Sequence, residues 1–269
     1  MIKIIRKELI LFFVCIFLLI IVNYDYLDSK TQDFFNDSQE KRVIVTRVID
    51  GDTIIYGKGD NETRVRLLGI NSAEKGEKYY QQAKDFLNNS VFNKSVKLVY
   101  EEEKFDRYGR ELVYIIYRNK NINLEMVRKG FANYYFPTGK NNYYGDFLNA
   151  WKKCVDENVN LCKNSNNLCS DCIFLEETDK FEQKIVLVNN CGFDCNLTKW
   201  SIKDEGRKKF IFPDFVLKSG DNVNLIIGNK SNNENTFYWN EYDYVWTYSG
   251  DTLFLRDSGG RLVLWKIIN

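Results

Sequence analysis

The chain contains no histidine and only two prolines in 269 residues. Without histidine, Ser-His-Asp triads, Cys-His dyads and histidine-ligated zinc are all excluded. Any hydrolytic chemistry must run on carboxylates, arginines, hydroxyls, thiols or a metal held by oxygen or sulfur. Two prolines exclude a proline-rich stalk. Net charge is nearly absent too, at +1, but it is unevenly spread. Residues 41–165 carry 22 basic and 16 acidic side chains, whereas residues 166–269 carry 12 and 15. A basic middle beside an acidic end suggests that the middle meets a polyanion. With 44% hydrophobic and 15% aromatic residues the chain builds real cores, which excludes wholesale disorder. Its length suits one large domain or two modest ones.

Long apolar runs are confined to the N-terminus. Lys3, Arg6 and Lys7 precede an uninterrupted run from Leu9 to Val22, which Asn23, Tyr24 and Asp25 end. No small-x-small cleavage pattern follows, so an uncleaved membrane anchor is expected. The basic flank then places the rest of the chain on the extracytoplasmic face, or in the medium if the segment is cut. Besides Cys15 there are six cysteines: Cys154, Cys162, Cys169, Cys172, Cys191 and Cys195. An even number in an exported segment favours disulfides, with a four-cysteine zinc site as the alternative. Their pairing is not deducible.

Four segments are expected: an anchor and tether over 1–41, a domain over 42–158, a cysteine-rich joint over 159–176 and a β domain over 177–269. The second opens with strand-like text at Val43–Val48, Thr53–Tyr56 and Val65–Leu68, separated by glycine-bearing turns. Helices are predicted at Lys78–Ser90, Asn123–Lys129 (ended by Gly130) and Gly145–Asp156, with further strands at Val96–Tyr100 and Leu112–Tyr117. That mixture suits a small β-barrel with packed helices. From Ile173 onward only short strands remain, in the rhythm of an antiparallel sandwich.

Three clusters near strand ends carry the chemistry: Asp50-Gly51-Asp52-Thr53; Arg66 with Asn71, Ser72 and Glu74; and Asp106-Arg107-Tyr108-Gly109-Arg110. Two carboxylates and an amide oxygen are hard ligands suited to Ca²⁺. Two arginines clamp a phosphate bidentately and matter most as charge builds in the transition state. A carboxylate beside them orients or deprotonates water. Arg66 lies within an apolar run, where an unpaired guanidinium is costly.

In order and spacing these clusters resemble the staphylococcal-nuclease-like (thermonuclease) family, from about Val43 to Trp151. The resemblance implies an OB-fold five-stranded β-barrel with three helices. It also implies Ca²⁺-dependent cleavage of DNA and RNA, single-stranded or locally open, to 3′-phosphate and 5′-hydroxyl ends. Asp52 falls on a Ca²⁺ ligand, Asn71 on a second whose usual carboxylate is lost, and Ser72 on a backbone-carbonyl ligand. Glu74 falls on the carboxylate that binds the attacking water, and Arg66 and Arg110 on the two phosphate-binding arginines. Arg107 and Tyr108 fall on substrate contacts, Phe136 on an aromatic against a base, and Asp50 on a supporting acid. Ala73 replaces the usual proline. The second half resembles a lamin-tail domain, an immunoglobulin-like β-sandwich, carried by Ile185–Asn190, Asn196–Glu205 with Trp200, Phe210–Pro213 and Ser249–Leu255. It reads as a binding or positioning module, with an envelope component or protein as ligand, and its acidity argues against a grip on nucleic acid. Nothing points to an oligomer. Two other readings stand beside the nuclease: an OB-fold nucleic-acid binder impaired by Asn71 and Ala73, and an envelope adhesion protein acting through the sandwich.

Overall fold

Alternating β-branched side chains start the fold. In a computed structural model, which describes residues 40–268, Glu40–Val48 (β1), Thr53–Tyr56 (β2) and Thr63–Leu67 (β3) form an antiparallel meander. Gly51 makes the β1–β2 turn possible: a Cβ there would stand 2.8 Å from the side chains of Ser72 and Ala83. After Ile70–Ser72 (β4) and the helix Tyr80–Val91 (α1), Ser95–Phe105 (β5) pairs with β1, and Glu111–Tyr117 (β6) pairs with β5. A parallel pairing of β3 with β6 closes a five-stranded barrel, the OB-like fold expected.

Lys120–Asn121 (β7) leads into the helix Ile122–Arg128 (α2), whose N-cap Asn121 accepts from the Leu124 amide. Gly130 follows at φ +67°, where a Cβ would meet Cys154 Sγ and the Val159 carbonyl at 2.8 Å, so glycine is required there. Ala132–Tyr134 (β8) pairs with β4. The helix Tyr144–Glu157 (α3) buries Phe147, Ala150, Trp151 and Cys154, the i, i+3, i+4, i+7 stripe its sequence displays.

The C-terminal half is all β: Ile173–Asp179 (β9), Lys184–Asn189 (β10), Cys195–Asn196 (β11), Ser201–Lys203 (β12), Lys209–Ile211 (β13), Val216–Leu217 (β14), Asn222–Ile227 (β15), Thr236–Trp239 (β16), Asp251–Arg256 (β17) and Leu262–Ile268 (β18). Two four-stranded sheets, β16-β15-β10-β9 and β13-β12-β17-β18, bury a common core that includes Ile185, Leu225, Trp200, Trp239 and Leu253. Disulfides join Cys154 to Cys162, Cys169 to Cys195 and Cys172 to Cys191, and the last two bring Cys169, Cys191 and Cys195 together with their Sγ atoms within 4.8 Å of one another. The last two tie the joint to the β10–β11 connection.

Barrel and sandwich are not beads on a string. Phe254 and Leu262 of the sandwich belong to the barrel's core, and Trp265 packs against it. The Phe254 ring meets Trp151 edge-on at 5.0 Å.

One expectation is corrected. Among the described residues no helix is long and apolar enough to cross a membrane, so the anchored, extracytoplasmic placement is withdrawn. The Leu9–Val22 run on which it rested lies outside the described residues, as does Cys15.

Candidate active site

The turn after β1 delivers Asp52 to the floor of the site. Its Oδ2 accepts from Arg66 Nη1 at 2.9 Å and from the Ser72 amide and hydroxyl at 3.0 Å each. Its Oδ1 accepts from the Thr53 hydroxyl. Burial alone would raise this carboxyl, but Arg66 and Ser72 hold it below the usual range. Asp50 lies behind: its Oδ1 accepts from the Asp52 amide at 3.0 Å, and burial with the Asp52 charge pushes it up to about 6. Asp50 therefore supports the turn.

Arg66 is buried on β3, where Nη1 donates to Asp52 Oδ2 and to the Leu67 carbonyl at 3.2 Å, and Nη2 donates to the Ile70 carbonyl at 3.0 Å. This answers the cost of a guanidinium in an apolar run. Arg110 stands on the β5–β6 turn. Asp106 accepts from the Tyr108 and Arg110 amides with Oδ1 and from Arg110 Nε at 2.7 Å with Oδ2. Gly109 closes that turn at φ +75°. Asp106 is thus a brace for Arg110 that spacing alone did not single out. Arg107 donates to the Tyr108 hydroxyl at 2.6 Å, and the Tyr108 ring is 68% exposed at the rim.

Arg66, Asn71, Asp106, Arg107, Tyr108 and Arg110 line one cleft of about 760 Å³. Phe136 lines it as well, but it is 7% exposed and meets Tyr144 and Phe147 edge-on at 5.4 and 5.5 Å. Phe136 is therefore a core side chain and not an open platform for a base. The far wall belongs to the sandwich, at its 204–208 turn and around Tyr242, Tyr244 and Asp251.

That turn reaches the candidate catalytic residues themselves. Arg207 Nε pairs with Glu74 Oε1 at 2.7 Å, leaving about half of the Glu74 side chain exposed. Asn71 is 1% exposed and donates from Nδ2 to the Gly206 carbonyl at 2.6 Å. The reverse orientation of the amide would set two oxygens against each other, so Oδ1 is left buried without a hydrogen-bond partner. Next to it, Asn133 Nδ2 donates to the Glu205 carbonyl at 2.7 Å, and Glu205 accepts from the Phe136 amide and the Thr252 hydroxyl. None of these partners was visible in the sequence. Their only signal is the basic triplet Arg207-Lys208-Lys209 within an otherwise acidic domain.

Burial pushes three carboxyls at this junction up: Asp204 to about 7, Glu205 to about 8 and Asp251 to about 6. Each folded-state value exceeds that of the unfolded chain, near 4. The stability they contribute is therefore complete below pH 4 and is lost as pH rises through 6 to 8. Heat unfolding should show the melting temperature falling between about pH 4 and 8 and levelling off above that range. Glu205→Gln, which mimics the protonated acid, should flatten that fall; an unchanged slope would count against the buried acids.

Residues 64–164 match the family model of staphylococcal nuclease homologues, and residues 171–266 match that of the Lamin Tail Domain. Thermonuclease of Staphylococcus intermedius is 28% identical over 151 residues, covering 53% of this chain and 90% of that protein. An uncharacterized endonuclease of Haemophilus influenzae is 39% identical over 97 residues, 35% of this chain and 53% of its own. An uncharacterized protein of Methanocaldococcus jannaschii is 27% identical over 206 residues, 61% of this chain and 98% of its own. The chain thus carries a staphylococcal nuclease homologue domain followed by a lamin-tail domain, and its enzyme class is that of the phosphodiester hydrolases.

Proposed function

We propose that the protein is a Ca²⁺-dependent endonuclease that cleaves DNA and RNA, in single or locally opened strands, to 3′-phosphate and 5′-hydroxyl ends. Residues 42–158 are the catalytic domain, and residues 177–269 are a positioning module joined to it through 159–176. The observation that carries this reading is a pair of guanidinium groups on one cleft, Arg66 and Arg110, each braced by its own carboxylate, Asp52 and Asp106.

Both arginines donate to the non-bridging oxygens of the scissile phosphate, and their charge is worth most as the transition state gains negative charge. Arg110 keeps its Nη groups for substrate because Asp106 holds Nε. Glu74, directed by Arg207, orients the attacking water and accepts its proton. Tyr108 and Arg107 at the rim receive the neighbouring phosphate.

The residues present fit a hard cation. Asp52 Oδ2, the Ser72 carbonyl and Asn71 Oδ1 are oxygen donors, and the last is the buried amide oxygen without a partner. Ca²⁺ held there would polarise the scissile phosphate and share its charge. Asn71 brings one negative charge fewer than a carboxylate, so affinity in the high micromolar to millimolar range is expected rather than tight binding.

Incubation of the protein with labelled single-stranded DNA in Ca²⁺ is the test. Fragments that a polymerase extends only after phosphatase treatment carry 3′-phosphates, the expected result. Fragments extended directly would refute the proposed chemistry. DNA that is bound but intact would leave an OB-fold binder.

A further inference from the structure

Two arginines and a carboxylate account for the scissile phosphate, and Arg107 with Tyr108 for its neighbour, but none of them receives a base. One wall of the cleft is the barrel; the other is the sandwich. Its 204–208 turn is held from both domains. Asn71 and Asn133 of the barrel donate to the Gly206 and Glu205 carbonyls, and Asp251 of the sandwich accepts from the Glu205 amide at 3.1 Å. Asp204 Oδ1 accepts from the Lys208 amide at 2.9 Å, closing the turn. Lys208 therefore projects from a fixed support.

Its ammonium group donates to the Tyr244 carbonyl at 2.7 Å and stands 3.8 Å over the centre of the Tyr244 ring. Tyr244 is 57% exposed. Lys208 is thus held against an exposed aromatic ring. Both residues line the same cleft as Arg66 and Arg110. A cation beside an exposed aromatic face, continuous with a phosphate clamp, is the chemistry that receives a single nucleic-acid strand: the ammonium meets backbone and the ring stacks a base. A flat duplex pair offers no free base face to such a ring.

Of the acids around the cleft, Asp204, Glu205 and Asp251 are buried and Asp106 is taken up by Arg110; Glu101, which accepts from Tyr114 and Asn141, and Glu103 line the barrel side. The domain is acidic as a whole, yet at the cleft it presents Arg207 and Lys208. A volume of about 760 Å³ lies within the range of sites that enclose a drug-sized ligand, room for a few nucleotides of one strand.

Resting on the nuclease reading above, we infer that Lys208 and Tyr244 of the lamin-tail domain form a single-strand subsite, binding the backbone and base of a nucleotide beyond the two that flank the cleavage point. The sandwich is then part of the substrate site and a source of preference for open strands.

The test compares two substrates on the full chain in Ca²⁺: a dinucleoside phosphodiester, which has no nucleotide beyond the two flanking the cleavage point, and a single-stranded 12-mer. Lys208→Ala and Tyr244→Ala should each raise KM for the 12-mer about five- to tenfold, the effect of one lost stacking or phosphate contact, with kcat within twofold. Neither should alter cleavage of the dinucleoside. Tyr244→Phe should behave as wild type, since it keeps the ring. Lys208→Ala should also lower the salt slope of log(kcat/KM) by about 0.7, one phosphate contact fewer on a single strand. Wild-type KM and salt slope for the 12-mer in both alanine variants would overturn the subsite while leaving the nuclease intact. Loss confined to a variant with a lowered melting temperature would reduce it to a structural role, a result that Tyr244→Phe separates. Wild-type protein that cleaves neither substrate would overturn the nuclease reading itself, and the subsite with it.

Discussion

Arg66→Ala should destabilise the protein and silence it together. Arg66 provides the positive charge against Asp52, a carboxylate with almost no solvent contact. Removing one partner of a buried pair leaves the other charge uncompensated, at a cost of about 3–5 kcal/mol. For a chain of this size that corresponds to a fall in melting temperature of roughly 10 °C or more. The same substitution removes a donor to the transition-state phosphate, worth about 10²- to 10³-fold in kcat. Arg66→Lys separates the two effects. An ammonium group restores charge near Asp52, but it cannot reach Asp52, the Leu67 carbonyl and the Ile70 carbonyl with a planar fork. Calorimetry should show most of the stability regained, while the cleavage assay should show activity still reduced at least tenfold. Full stability in Arg66→Ala would mean that Asp52 takes up a proton, or relaxes to solvent, at little cost.

The second large effect is expected from Asn71→Asp. At this position an amide serves two purposes. Nδ2 donates to the Gly206 carbonyl at 2.6 Å, holding the sandwich turn, and Oδ1 is left buried without a hydrogen-bond partner. A carboxylate would set an acceptor against an acceptor in a buried place, losing the hydrogen bond and adding repulsion, a cost of about 2–3 kcal/mol. It would also add a negative charge to the cation site. In chelator the variant should therefore melt about 5–8 °C lower than wild type. In millimolar Ca²⁺ much of that difference should disappear, because a ligand that binds the folded state alone stabilises it. Ca²⁺ affinity, read by calorimetric titration, should rise at least tenfold. A variant that melts like wild type in chelator would show that the Asn71–Gly206 contact does not hold the junction. On this view the asparagine is the price of docking the second domain over the first.

Much of this molecule was legible in its sequence, and the remainder was hidden for a physical reason. The five barrel strands and all three helices announce themselves because their signals are local: the β-branched run Val43–Val48, and the Phe147, Ala150, Trp151, Cys154 stripe on α3. The three clusters are legible because catalytic residues sit at strand ends, where short motifs fix geometry. The Asp106 brace lies inside one of them and is spelled out by the turn it closes. What could not be read is the junction. Asn71 and Gly206 are 135 residues apart, and no periodicity encodes their meeting. Asp204 and Glu205 read as a solvated turn beside a glycine, yet both are buried because Asn133, Phe136 and Thr252 offer them partners. Phe254, Leu262 and Trp265 belong by spacing to sandwich strands but fill the barrel's core. Domain-wide charge is likewise coarse: an average over the sandwich conceals one basic turn whose Arg207 and Lys208 line the cleft.

The most direct test of the central claim is cleavage of single-stranded DNA by the full chain in Ca²⁺, then in excess chelator, with Arg110→Ala alongside. Arg110 is partly exposed and braced only by its own turn, so its removal should leave the fold unchanged. The account predicts cleavage in Ca²⁺, none in chelator, and a 10²- to 10³-fold loss of rate in Arg110→Ala at an unaltered melting temperature. Cleavage that persists in chelator, or that Arg110→Ala leaves at the wild-type rate, would contradict it.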